Sequence, residues 1–233
     1  MGLFSRRKRA ATDDPPLANT ALENTAPLHT GSSPIEAFEL LVDRECARLA
    51  AAGTWWTGAE RLAIAAEARR ALAGETPSGT LPPPVAQATR RIAVKAATIR
   101  GTDVARWEND GLGAFGYVEI VGIVSRLAAL DITAFGLGRE APRLPEPQPG
   151  EPSRAQADGA VVTTGWAPTV GPATAPSSLS AVPAEAEAMF DVHGVLYLTM
   201  DQMFEMQIER DGLSRPQIEL VASRTSALNE CFY

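Results

Sequence analysis

Cysteine is almost missing from this chain of 233 residues: there are two, Cys46 and Cys231, far apart in sequence. That scarcity argues against a disulfide framework. With no export signal in view, a reduced, cytoplasmic setting is expected, where a cysteine is more often buried or reactive than paired. Clustered basic charge is missing too. The formal charge is -7 and the pI about 5.0, whereas a phosphate-binding surface needs grouped Lys and Arg, so no nucleic-acid partner is expected. The one basic run, Arg6 to Arg9, is followed by no apolar stretch and is not expected to be a signal peptide. Met1-Gly2 would suit a myristoylation start, but Arg6 stands where that motif has Ser or Thr. No run approaches the roughly 20 apolar residues of a membrane span, so no membrane partner is expected. No alternating pattern reads as a strand pair.

What the chain does have is helical periodicity at an ordinary hydrophobic content of 45%. Residues 1–33 mix charge, prolines and a Thr/Asn/Gly/Ser-rich run and are expected to be a disordered tail. From Pro34 to about Ala52, with Ser33 as the cap, Phe38, Leu41, Cys46 and Leu49 fall on one helical face. Cys46 is expected to point inward as a small buried hydrophobe. Thr57-Gly-Ala-Glu60 is a capping box that opens an Ala-rich helix to about Ala73, and Trp55-Trp56 before it reads as an apolar anchor for the chain's entry. A third helix is expected from Val85 to Arg100, burying Ala96, Ile99 and the stem of Lys95. A short one follows, capped by Asp103 and carrying Trp107, and then a strongly apolar helix from Phe115 to Leu130 that continues toward Phe135. Residues 139–182, rich in Pro, Gly, Ser and Thr, read as a long irregular connection. Helix is expected again from Pro183 to His193, from Thr199 to Ile208, and from Ser214 onward. His193 reads as an ordinary half-buried histidine, and Met200, Met203 and Met206 as core or interface filler. The fold class expected is all-α.

The chain is organised around its last helix. Ser214 and Gln217 form a capping-box pattern with Pro216 in the first turn. Ile218, Val221, Ala222, Thr225 and Leu228 make one stripe, with Arg215, Ser223 and Arg224 expected to face outward. Glu219 precedes Cys231 by twelve residues.

This stretch, Ile218-Glu-Leu-Val-Ala-Ser-Arg-Thr-Ser-Ala-Leu-Asn-Glu-Cys-Phe-Tyr233, resembles the signature helix of the alkylhydroperoxidase D-like and carboxymuconolactone decarboxylase superfamily, above all its peroxidase-related branch. Weaker resemblance reaches back to about Trp55. It implies a helical bundle of two diverged halves, 34–138 and 183–233, the second incomplete. Aligning Arg69 with Arg224 sets Ile64 opposite Glu219 and Thr76 opposite Cys231, so the first half carries neither acid nor thiol. In that family a Glu, a Cys-x-x-Cys pair and a following His form a thiol-peroxidase site, in which the second Cys attacks the hydroperoxide and the first resolves the sulfenic acid. Cys231 and Glu219 match the first Cys and the Glu in type and spacing. The resemblance implies a hydroperoxide substrate, a dithiol reductant and a homo-oligomer, with no cofactor-binding and no metal-ligating residue. Position 234, where the family has its attacking Cys, is expected to be selenocysteine, with a His about four positions on. A nonsense codon, a sequencing error or a cropped chain are the alternatives. As written, the chain has neither attacking thiol nor His and is not expected to turn over. A non-catalytic helical scaffold or oligomerisation protein is the competing reading, and a decarboxylase-like enzyme a third.

Overall fold

Three helices begin where side chains satisfy their orphan N–H groups. In the computed structural model, which describes residues 33–230, Ser33 Oγ accepts from the Glu36 N–H while the Glu36 carboxylate accepts from the Ser33 N–H. Thr57 and Glu60 repeat the exchange. At Ser214 the N–H donates to Gln217 Oε1, 2.9 Å away. The N-terminal segment expected to be disordered, up to residue 32, and the site residue Cys231 lie outside the described residues.

Among the described residues there are seven α-helices: α1 Pro34–Ala50, α2 Gly58–Leu72, α3 Pro83–Lys95, α4 Gly101–Asn109, α5 Ala114–Gly136, α6 Pro183–Leu196 and α7 Arg215–Leu228. The architecture is mostly helical, in line with an all-α chain. The 23-residue α5 is the axis of the bundle. One side of it packs on α2, α3 and α4 through Ile64, Ala68, Val85, Ala88, Trp107, Ile120 and Ile123. Its C-terminal half packs on α1 and α6 through Phe38, Leu41, Leu130, Ala134 and Val192. Residues 139–182 hold neither a helix nor a named strand, only an isolated bridge between Val161 and Thr169. They are strapped onto the α1–α2 connection by N–H groups of Gln148, Ser153 and Arg154 donating to Ala50, Gly53 and Thr54 carbonyls.

Several expectations need correction. The third helix stops at Lys95 in a three-residue 3-10 turn, Ala96–Thr98, and both Lys95 and Ala96 are exposed. Ile99 then enters the core, and the expected short helix with Trp107 follows as α4 from Gly101, with Arg100 at its cap and Asp103 three residues on, its carboxylate accepting from the Arg100 N–H. Cys46 is only half-buried; the fully buried residue on that turn is Glu45. Residues 199–208 are not helical beyond the 3-10 turn Gln202–Phe204. A two-residue antiparallel pair follows, β1 Glu209–Arg210 and β2 Leu213–Ser214, reversed by Asp211 and Gly212, both at positive φ. Met206 is 75% exposed, so the Met-Met-Met spacing fills no core there. In α7 only Ile218 and Arg215 are buried. The expected stripe is otherwise open, because among the described residues no helix covers Val221 and Leu228, and Arg215 points inward, not outward.

Candidate functional site

Glu219 lies in the second turn of α7, and two donors fix its carboxylate. Arg215 Nε donates to Oε1 at 2.6 Å, the i,i+4 pairing of one helix face, and Tyr197 Oη, just past α6, donates to the same oxygen at 2.8 Å. Arg215 is itself anchored. Its terminal nitrogens donate to the carbonyls of Gln202, Met203 and Glu205, so the turn that replaces the expected helix closes around this guanidinium. Arg210, from β1, caps the end of α6 by donating to the Gly194, Val195 and Tyr197 carbonyls. Burial and then the bond to Glu219 push the Tyr197 hydroxyl above its ordinary value, which keeps it a donor at neutral pH. The neighbouring His193 is half-buried; its Nδ1 donates to the Leu198 carbonyl and its ring meets Tyr197 edge-on.

Tyr197 also lines a groove of about 600 Å³ between α1, the ends of α5 and α6, the strand pair and α7. Its walls are chiefly apolar: Ile35, Phe38, Leu137, Val195, Leu213, Ile218 and Val221. Ile218, Val221, Ala222 and Thr225, four of the five residues of the expected stripe, face this groove and not a packed neighbour. A concave apolar cleft with a few polar groups at its edge is the usual form of a site for a small organic molecule. The helix ends at Leu228, and Glu230 has φ 54°, which turns the chain off the helix axis just before Cys231. From Glu219 to the helix end at Leu228 the axis rises about 14 Å at 1.5 Å per residue. The other thiol, Cys46 on α1, has Sγ 3.8 Å from the Arg143 carbonyl. Burial, followed by the charge of Asp43, pushes it above its ordinary value, so it is a poor nucleophile near neutral pH.

Sequence reasoning missed a second constellation. Eight charged side chains alternate in sign through the middle of the bundle. Asp191 accepts from Arg44 at 2.8 Å and from Arg48 at 2.7 Å. Arg48 also meets Glu45, which accepts from Arg126 Nε at 2.8 Å. Arg126 reaches Glu185, Glu185 accepts from Arg61 at 3.0 Å, and Arg61 meets Glu119. The series ends where the Trp55 N–H donates to Glu119 at 2.6 Å. It ties α1, α2, α5 and α6 together, with four carboxylates against four guanidinium groups. Two glycines make room for it: a Cβ on Gly122 would lie 2.2 Å from Glu185 Oε2, and one on Gly53 2.0 Å from Glu119 Oε1. Burial, with Glu185 adding to it, raises the Glu119 carboxyl above its ordinary value despite the pull of Arg61. Asp191 is the opposite case: its bonds to Arg44 and Arg48 outweigh its burial and hold it below the ordinary range. The stabilisation Asp191 provides is therefore complete above the usual carboxylate range and is lost as the pH falls through its lowered folded value. A signal for this series existed in Glu119 and Arg126, two charges seven residues apart on one face of a strongly apolar helix whose one other charge is Asp131.

Among the described residues no group of three or more His, Cys, Asp or Glu is placed to hold a metal ion, and no helix is long and apolar enough to cross a membrane. No family model matches the chain, and neither the curated proteins nor the solved structures include one similar to it.

Proposed function

We propose that the chain is a peroxidase-related oxidoreductase of the alkylhydroperoxidase D-like kind, with α7 and the residues just after it as its thiol element. The observation that carries this reading is Glu219 held between Arg215 and Tyr197 at the edge of an apolar groove that the same helix lines. The groove suits the organic part of an alkyl hydroperoxide. In the reaction an attacking thiolate breaks the O–O bond, giving a sulfenic acid and, with one proton, an alcohol. The thiol of Cys231 then attacks the sulfenic sulfur, a disulfide forms and water leaves; a dithiol reductant returns both sulfurs to the thiol. Glu219 serves as relay base of the thiol pair, and across the length of α7 the relay runs through Tyr197 and water in the groove. Burial makes Cys46 a poor candidate for the attacking thiol, and the residues in hand supply the resolving and relay parts. With dithiothreitol as reductant, the chain is expected to consume cumene hydroperoxide no faster than the protein-free mixture. Turnover above that background which disappears in Cys231→Ser would show that one thiol suffices and would overturn this division of roles.

A second reading, a non-catalytic scaffold of the same fold, is favoured by a different observation. Phe135 is 82% exposed and Ile132 69%, at the end of α5, and α7 leaves Leu220, Val221 and Leu228 open. Apolar surface of that extent is usually covered by another chain. Both readings make the protein a homo-oligomer, expected as a dimer or larger by light scattering at micromolar concentration; a clean monomer contradicts that expectation.

A further inference from the structure

We infer that the pocket between α3 and α4, remote from Glu219, is a binding site for a small organic phosphate. Four cations surround it, in a chain whose overall charge is -7: Arg90, Arg91 and Lys95 from α3, and Arg106 from α4. Its volume is about 460 Å³, within the usual range for a small-molecule site.

The charges are not all answered by the protein. Arg90 is bound to Glu67 at 2.7 Å, and Arg106 to Asp103 at 3.2 Å. Arg91 donates only to the Thr98 hydroxyl, at 3.2 Å, and Lys95 has no carboxylate partner among the described residues. Two positive charges therefore stand uncompensated at one opening. A cation in the last turn of α3 complements that helix's dipole, which accounts for Lys95 being there. It does not account for Arg106 arriving at the same place from another helix, nor for the opening between them.

The inner wall is apolar. Trp107 closes it and is 1% exposed, and its indole N–H is buried with no acceptor among the described residues. Val94, half exposed, forms part of the side wall. Apolar lining beside two surplus cations matches a dianionic phosphomonoester whose organic part rests against Val94 and Pro77. Arg91 contributes the forked donor geometry suited to phosphate oxygens, and Lys95 a mobile point charge.

Calorimetric titration of the full chain at low salt with phenyl phosphate, inorganic phosphate and phenol tests this. Phenyl phosphate is expected to bind saturably with a Kd of about 1 mM or below, inorganic phosphate more weakly, and phenol not measurably. The double variant Arg91→Gln, Lys95→Gln changes two exposed side chains and should melt as the parent does, while the phenyl phosphate affinity falls by about tenfold or more. Absence of saturable binding, or binding that survives in the double variant, overturns the site. Inorganic phosphate binding as tightly as the ester overturns the assignment to an organic phosphate.

Discussion

Replacing Arg126 with methionine is expected to lower the free energy of unfolding by about 3–5 kcal/mol, the usual loss when one partner of a buried ion pair is removed. Arg126 is fully buried and binds both Glu45 and Glu185. Without it, the series through the bundle holds four carboxylates against three guanidinium groups. The surplus negative charge sits where water does not reach, and nothing else in α5 answers it. Methionine keeps most of the volume, so the loss reports charge and not a cavity. Two further results distinguish this account from simple misfit. Arg126→Met combined with Glu45→Gln restores the balance, since Arg48 keeps Asp191 and Glu185 keeps Arg61, and it should recover a substantial part of the loss. The single variant's deficit should also shrink at lower pH, where added protons neutralise the surplus charge. Urea unfolding of the three proteins gives the comparison; a single variant within about 1 kcal/mol of the parent, an ordinary surface effect, contradicts the account.

The same residue shows where sequence reading stops. Ser33 with Glu36, Thr57 with Glu60 and Ser214 with Gln217 are local signals, three residues apart, and each marks a real helix start. The all-α class follows from such signals together with the apolar periodicity of α1 and α5. Charge pairing across the bundle is not local. Arg126 and Glu45 are 81 residues apart, and nothing in either segment names the other. The interrupted helix at Lys95 and the irregular turn at 199–208 failed for a related reason, since helical composition was overridden by contacts made elsewhere. Ile99 is drawn into the core just past Lys95, and Arg215 takes carbonyls at 202, 203 and 205 that a helix would have kept for itself. The apolar stripe of the last helix leaves Arg215 on the outer face. Its i,i+4 spacing to Glu219 was readable; the ring of carbonyls was not. The resemblance of α7 to the family's signature helix singles out Glu219, but Tyr197, its second donor, lies 22 residues away behind a turn without periodicity.

The claim that α7 carries thiol chemistry under the control of Glu219 is tested by the reactivity of Cys231 itself. In a Cys46→Ser background Cys231 is the sole thiol, and its attack on an aromatic disulfide stands in for its attack on a sulfenic sulfur. Both are displacements at sulfur by the ionised thiol. Glu219→Gln keeps the shape of the side chain and an acceptor for Tyr197 while removing the base. The pair with Arg215 is 42% exposed on the Glu219 side, so its loss has little effect on the fold, and unchanged circular dichroism is the control. A general base typically contributes between 10² and 10⁴ in rate; a relay across water and a long helix is weaker, and the loss expected here is about tenfold or more. The decisive measurement is the rate of that exchange near neutral pH, with and without Glu219→Gln. A fall of that size is the predicted result, and equal rates in the two proteins would contradict the assignment of Glu219 to the thiol and leave the scaffold reading in its place.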